Sequence, residues 1–121
     1  MKTKQTLVKS FQHAFSGMKY FFLQDRNGKI HLAASILVIA FSFALKISSG
    51  KWVIVLLCIA TVMSLEMINA SIEKLCDLVQ PDFHHIIKII KDICAGAVLL
   101  AALVSAVIAC IIFIPKIIQL L

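Results

Sequence analysis

Apolar residues run almost unbroken over residues 30–48 (IHLAASILVIAFSFALKIS), again over 52–72, and again over 93–114. Each stretch is close to the roughly 20 residues that a helix needs to cross a bilayer. The pattern predicts three membrane spans at those positions, joined by short loops into a helical hairpin bundle. Ser48, Ser49, Gly50 and Lys51 predict a tight turn between the first two. Pro81 with Asp82 predicts the break before a third helix that begins near His84 or Ile86 and stops at Pro115. Residues 4–23 differ. Leu7, Val8, Phe11, Phe15, Met18 and Phe22 make a narrow apolar stripe, with Lys4, Lys9, Gln12 and Lys19 on other faces. That is the pattern of an amphipathic helix lying on the membrane surface.

One polar stripe interrupts this scheme. Glu66, Asn69, Glu73 and Asp77 are spaced by three, four and four residues, so on a helix they fall within roughly 80° of arc. A carboxylate near a bilayer centre costs on the order of 2.5–3.5 kcal/mol even on insertion scales. Glu66 lies about 8 Å inside the end of the second apolar run, and Asp77 is roughly 16 Å further along the axis, in water. A site built along the stripe touches lipid at one end and a soluble molecule at the other.

Composition agrees with a membrane setting. Of 121 residues, 61% are hydrophobic and 15% charged, more apolar and less charged than an ordinary soluble domain. The net charge of +6 is dispersed, with no recognition motif for nucleic acid. It reads as topology instead. Nine of the twelve basic residues lie in the N-terminal segment and the second-to-third connection, against Lys46, Lys51 and Lys116 on the opposite side. The excess puts the N-terminus and the long connection in the cytoplasm, together with all six acidic residues. The basic leader carries no signal-peptide pattern. Cys58, Cys76, Cys94 and Cys110 form no C-x-x-C pair and read as buried free thiols. His31 and His85 read as interfacial polar residues, Trp52 as an interface anchor. Ala97, Ala101, Ser105 and Ala109 read as a close-packing stripe.

Lys88, Lys91 and Asp92 share a face at the cytoplasmic end of the third helix, and Asp25 stands just before the first span. Carboxylates, an amide and a lysine at one level suit a magnesium–phosphate site. They also suit a salt-bridge network that holds the bundle together. With only Gly17, Gly28, Gly50 and Gly96 in the chain, there is no Walker A loop or G-x-G-x-x-G, so any ATP site is unconventional.

LEMINASIEKLCDLV (65–79) followed by PDFHHIIKIIKDICAGAVLLAAL (81–103) resembles the signature of the small prokaryotic diacylglycerol kinases, E-x-x-N-x-x-x-E-x-x-x-D, then H, then K-D-x-x-x-G-A. QDRNGKIHL (24–32), PDFH and FIPKI (113–117) are more similar to the undecaprenol kinase branch. The resemblance covers essentially the whole chain as a single membrane-embedded domain. It implies an all-α integral membrane fold: three transmembrane helices behind a surface helix, in a homotrimer with composite sites between neighbours. It further implies an enzyme of the prokaryotic inner membrane that uses ATP and Mg²⁺ to phosphorylate a lipid alcohol, undecaprenol or diacylglycerol. Carried over residue by residue, Glu66 is the general base for the lipid hydroxyl, a role its depth favours. Glu73 binds magnesium with Asp25, which replaces the family's usual glutamate. Lys91 and Asp92 contact nucleotide, and Asp82 and His84 approach it. Asn69 and Asp77 match further polar positions, while Lys9 or His13 stands in for an N-terminal arginine. Two other classes compete: a proton- or cation-conducting bundle with Glu66 and Glu73 as relay, and a non-enzymatic membrane assembly protein with the stripe as glue.

Overall fold

The computed structural model describes residues 6–121, all-helical apart from short connections. Lys2, Lys4 and the first two residues of the surface helix expected over 4–23 lie outside the described residues. α1 spans Leu7–Gln24, α2 Arg26–Ala44, α3 Ser49–Val79 and α4 His85–Leu120. The last three are long and apolar enough to cross a membrane.

A single residue joins α1 to α2. The Asp25 N–H donates to the Phe21 carbonyl at 3.1 Å, closing α1, while its Oδ1 accepts the Gly28 N–H at 2.9 Å, capping α2. The elbow is tight: a Cβ on Gly28 would lie 2.4 Å from the Phe21 carbonyl oxygen. Only glycine lets the two backbones approach so closely.

The turn after α2 lies over Leu45–Ser48, earlier than the Ser48–Lys51 break expected, so the first span is Arg26–Ala44 rather than 30–48. Local chemistry explains the shift. Lys46 takes φ 51°, the left-handed conformation that ends a helix. The Ile47 N–H reaches the Ser42 carbonyl and the Lys46 N–H that of Phe43, a Schellman closure. Ser48 then caps α3 by accepting from the Lys51 N–H at 3.4 Å, which draws Gly50 and Lys51 into the helix.

α3 encloses the expected 52–72 span and continues to Val79. Its end lies about 20 Å beyond Glu66, forming an aqueous overhang. α4 opens on a cap from His84, whose Nδ1 accepts the Ile86 N–H at 3.2 Å. It does not stop at Pro115 but passes through it to Leu120. Proline removes one N–H from the ladder, and neighbouring helices make such an interruption tolerable in a membrane helix.

α3 and α4 pack most extensively, and α2 packs against both α1 and α3. Two small clusters hold the bundle: Phe21, Met63 and Ala70 below the elbow, and Ile47, Val55 and Ile112 at the far end, where the Trp52 and Phe43 rings meet at a tilt with centroids 4.7 Å apart. Ile59 packs on both. Most other apolar side chains face outward, such as Phe43 at 70% and Leu100 at 66% exposure. In water so much exposed apolar surface would mark an association site; here it is the lipid-facing surface of an integral membrane protein. The expected burial of all four thiols is not met. Cys76 is buried, Cys58 and Cys94 are half-buried, and Cys110 is exposed, because it lies on the outward side of α4.

Candidate active site

Up-and-down connectivity puts the start of α2, the end of α3 and the start of α4 at one end of the bundle. The polar stripe of α3 therefore meets two different helices at two different levels.

The deeper level is centred on Glu66, 3% exposed and the most buried acid described. Its Oε1 accepts a hydrogen bond from Asn27 Nδ2 at 3.3 Å, and its Oε2 stands 3.6 Å from His31 Nε2. Asn69, 5% exposed, donates from Nδ2 to Glu73 Oε1 at 3.1 Å. The Asn69 Oδ1 is buried without a partner, a condition that ordinarily costs about 1–3 kcal/mol. Glu73 is exposed, one turn nearer to water. Beside His31 an apolar groove of about 220 Å³ opens between α2, α3 and α4, lined by Val38, Ile59 and Ala106 among others.

The outer level lies on the overhang. Lys91 Nζ donates to Asp77 Oδ1 at 2.5 Å, joining α4 to α3, and Lys88 Nζ donates to Asp92 Oδ2 at 2.6 Å. These residues, with Asp82 and His84, line one cleft of about 330 Å³. Lys91 lies just before the apolar run of α4, and its hydrogen bond to Asp77 holds its pKa above the ordinary lysine value against the opposing effect of desolvation. It is a fixed cation at neutral pH.

Six of the expected residues thus fall into two groups, Glu66, Asn69 and Glu73 at the deeper level of the stripe and Asp77, Lys91 and Asp92 on the overhang, with Asp82 and His84 joining the second. Asp25 stands apart. Besides capping α2 it lines a groove with Met67, Ala70, Ser71 and Lys74, on a flank of α3 roughly 100° round from the stripe. Lys9 and His13 lie on the exposed α1, and no side-chain hydrogen bond or ion pair among the described residues ties either to the site. Sequence reasoning missed Asn27 and set His31 aside as an interfacial residue; both are Glu66 partners. Their i, i+4 spacing at the start of a span, opposite a buried acid, was the available signal.

Comparison with known proteins agrees with this architecture. The sequence profile of the family described as prokaryotic diacylglycerol kinase matches residues 12–113. The undecaprenol kinase of Bacillus subtilis (strain 168) is 38% identical over 108 residues, 89% of this chain and 88% of that protein. The diacylglycerol kinase of Synechocystis sp. (strain ATCC 27184 / PCC 6803 / Kazusa) is 34% identical over 116 residues, 95% of this chain and 66% of its own. That of Escherichia coli (strain K12) is 22% identical over 105 residues, 87% and 86% of the two chains. The chain belongs to the prokaryotic diacylglycerol kinase family and is an integral membrane lipid kinase.

Proposed function

We propose that this kinase transfers the γ-phosphoryl group of ATP to the hydroxyl of a membrane lipid alcohol at the cytoplasmic face of the prokaryotic inner membrane, with Glu66 as general base. One observation carries the reading. A single helix presents a buried carboxylate beside an apolar groove and, eleven residues on, a charged cleft in water. The groove suits a lipid chain and the cleft a nucleotide. The excess of basic residues at that end supports a cytoplasmic N-terminus.

Glu66 takes the proton from the lipid hydroxyl as its oxygen attacks the γ-phosphorus. Lys91 spends one of its three donors on Asp77 and keeps two for phosphate oxygens. Asp82, His84 and Asp92 shape the remainder of the cleft, His84 offering Nε2 because its Nδ1 is occupied by the helix cap. Phosphoryl transfer needs positioning and charge neutralisation more than covalent help, and these few groups supply them.

The donor types suit magnesium, which favours hard oxygens and commonly takes one or two carboxylates plus substrate phosphates, while no three acidic, histidine or cysteine side chains converge among the described residues. Glu73 is exposed with one oxygen outside its bond to Asn69, Asn69 offers an orphaned oxygen, and Asp25 keeps Oδ2 free of its cap. Magnesium bound there would neutralise charge on the phosphates. Asp25 lies against a different flank of α3 from Glu73, so the two do not meet within one chain, and a neighbouring chain of the homotrimer that the family resemblance implies would bring them together.

Between the two lipids, undecaprenol is the better fit, on the 38% identity to an undecaprenol kinase against 34% and 22% to diacylglycerol kinases. The test is radiolabelled ATP and magnesium with the purified protein and each lipid in mixed micelles. Label should enter undecaprenol faster than diacylglycerol. Label in neither lipid contradicts the proposal.

A further inference from the structure

Asn27 and His31 stand four residues apart on α2 and so share a face. Each supplies a nitrogen to one oxygen of Glu66: Asn27 Nδ2 to Oε1 at 3.3 Å, His31 Nε2 toward Oε2 at 3.6 Å. The two contacts differ in kind. The first is a hydrogen bond that uses a lone pair of Oε1. The second is longer than a hydrogen bond and leaves Oε2 free to accept another proton. His31 also lines the apolar groove, whereas Asn27 does not, so Oε2 is the oxygen whose partner reaches the groove.

We propose that Asn27 and His31 are positioning residues for the lipid phosphorylation reaction, Asn27 anchoring Oε1 of Glu66 and His31 aiming Oε2 at the lipid hydroxyl. The proposal rests on Glu66 being the base. In the step itself the lipid oxygen forms its bond to the γ-phosphorus while the bond from that phosphorus to the ADP oxygen breaks. The hydroxyl proton passes to Oε2 and is afterwards lost to water. His31 Nε2, 3.6 Å from Oε2, is placed to close on it as substrate binds and so set the carboxylate plane before the proton moves. A carboxylate this buried and held by no donor would turn about its last torsion, which has no sharply staggered wells. Proximity effects in catalysis depend on orientation of that kind.

Steady-state kinetics on the purified full chain in mixed micelles tests this. Asn27→Leu and His31→Leu should each lower kcat by about tenfold while leaving KM for ATP and for lipid within about twofold, the mark of an interaction that matters in the transition state. His31→Gln keeps a side-chain N–H and should recover most of the loss. On a Glu66→Gln background neither leucine substitution should lower the residual rate further, because both act through that carboxylate. Wild-type kcat in both leucine variants would overturn the proposal. So would an equal loss on the Glu66→Gln background, or a fall in thermal stability that accounts for the lost activity and that glutamine does not reverse. If Glu66→Gln itself turns over at the wild-type rate, the base assignment fails first and the positioning role with it. If Glu66→Gln is inactive while both leucine variants run at full speed, only the positioning role fails.

Discussion

The two ends of the α3 stripe are built from the same residue types and are held by opposite means. Glu66 is 3% exposed and, among the described residues, its polar partners are Asn27 and His31, with no Lys or Arg paired to it. Asp77 is exposed and pairs with Lys91 at 2.5 Å. Stability favours neither arrangement strongly. An exposed ion pair contributes about 0–1 kcal/mol, and a buried carboxylate with no permanent cation beside it costs more than an apolar residue of the same size. A chain selected only to hold its helices together would have little use for the buried end. On the proposed function, the contrast separates chemistry, which needs a carboxylate out of water beside the lipid, from nucleotide capture, which needs charge within reach of water.

Four substitutions break or sharpen that contrast. Glu66→Gln removes the base but keeps the shape and the acceptor for Asn27, so kcat should fall by about 10²-fold or more, the usual range for general base catalysis. Size-exclusion profile and melting temperature in detergent should stay near those of the wild type. Loss of assembly instead would favour the glue reading, and loss of proton flux in liposomes the relay. Gly28→Ala attacks the elbow that brings Asn27 and His31 to Glu66. Its Cβ would meet the Phe21 carbonyl at 2.4 Å, a clash that should destabilise by about 1–3 kcal/mol, read as a lower melting temperature together with lost turnover. Lys91→Met acts on the other end. KM for ATP should rise by about tenfold, with KM for lipid unchanged. Lys88→Met has the smallest effect, because its partner lies four residues away on the same exposed helix. A stability loss of about 0.3–0.5 kcal/mol that fades with added salt is expected, and chemical denaturation at two salt concentrations reads it.

Much of this was legible in the chain because it depends on local periodicity. The apolar runs announced the spans, the i+3 and i+4 spacing announced the stripe, and Pro81 with His84 marked the entry to α4. What escaped was tertiary or depended on backbone detail. The left-handed Lys46 ends α2 early, although lysine gives no hint of that conformation, and Ser48 then starts α3 as a cap where it had read as part of a loop. Pro115 looks like a stop because the rule comes from helices in water, and a membrane bundle relaxes it. Asn27 and His31 sit in a short polar stretch before a span, where such residues are ordinarily solvated. Only the pairing of α2 with α3 shows that they face Glu66. Asp25 was legible as a carboxylate at the right level, and its place on a different flank from Glu73 was not, because that depends on how the elbow turns.

The division of labour along α3 is tested most directly by crossing two assays with two variants: equilibrium binding of magnesium–ATP, and turnover with lipid, each measured for Glu66→Gln and Lys91→Met. Glu66→Gln should bind nucleotide with wild-type Kd and turn over at least about a hundredfold more slowly, while Lys91→Met should bind about tenfold more weakly and recover most of its rate at saturating ATP. Weakened nucleotide binding in Glu66→Gln, or a lost rate in Lys91→Met that saturating ATP does not restore, would contradict the account.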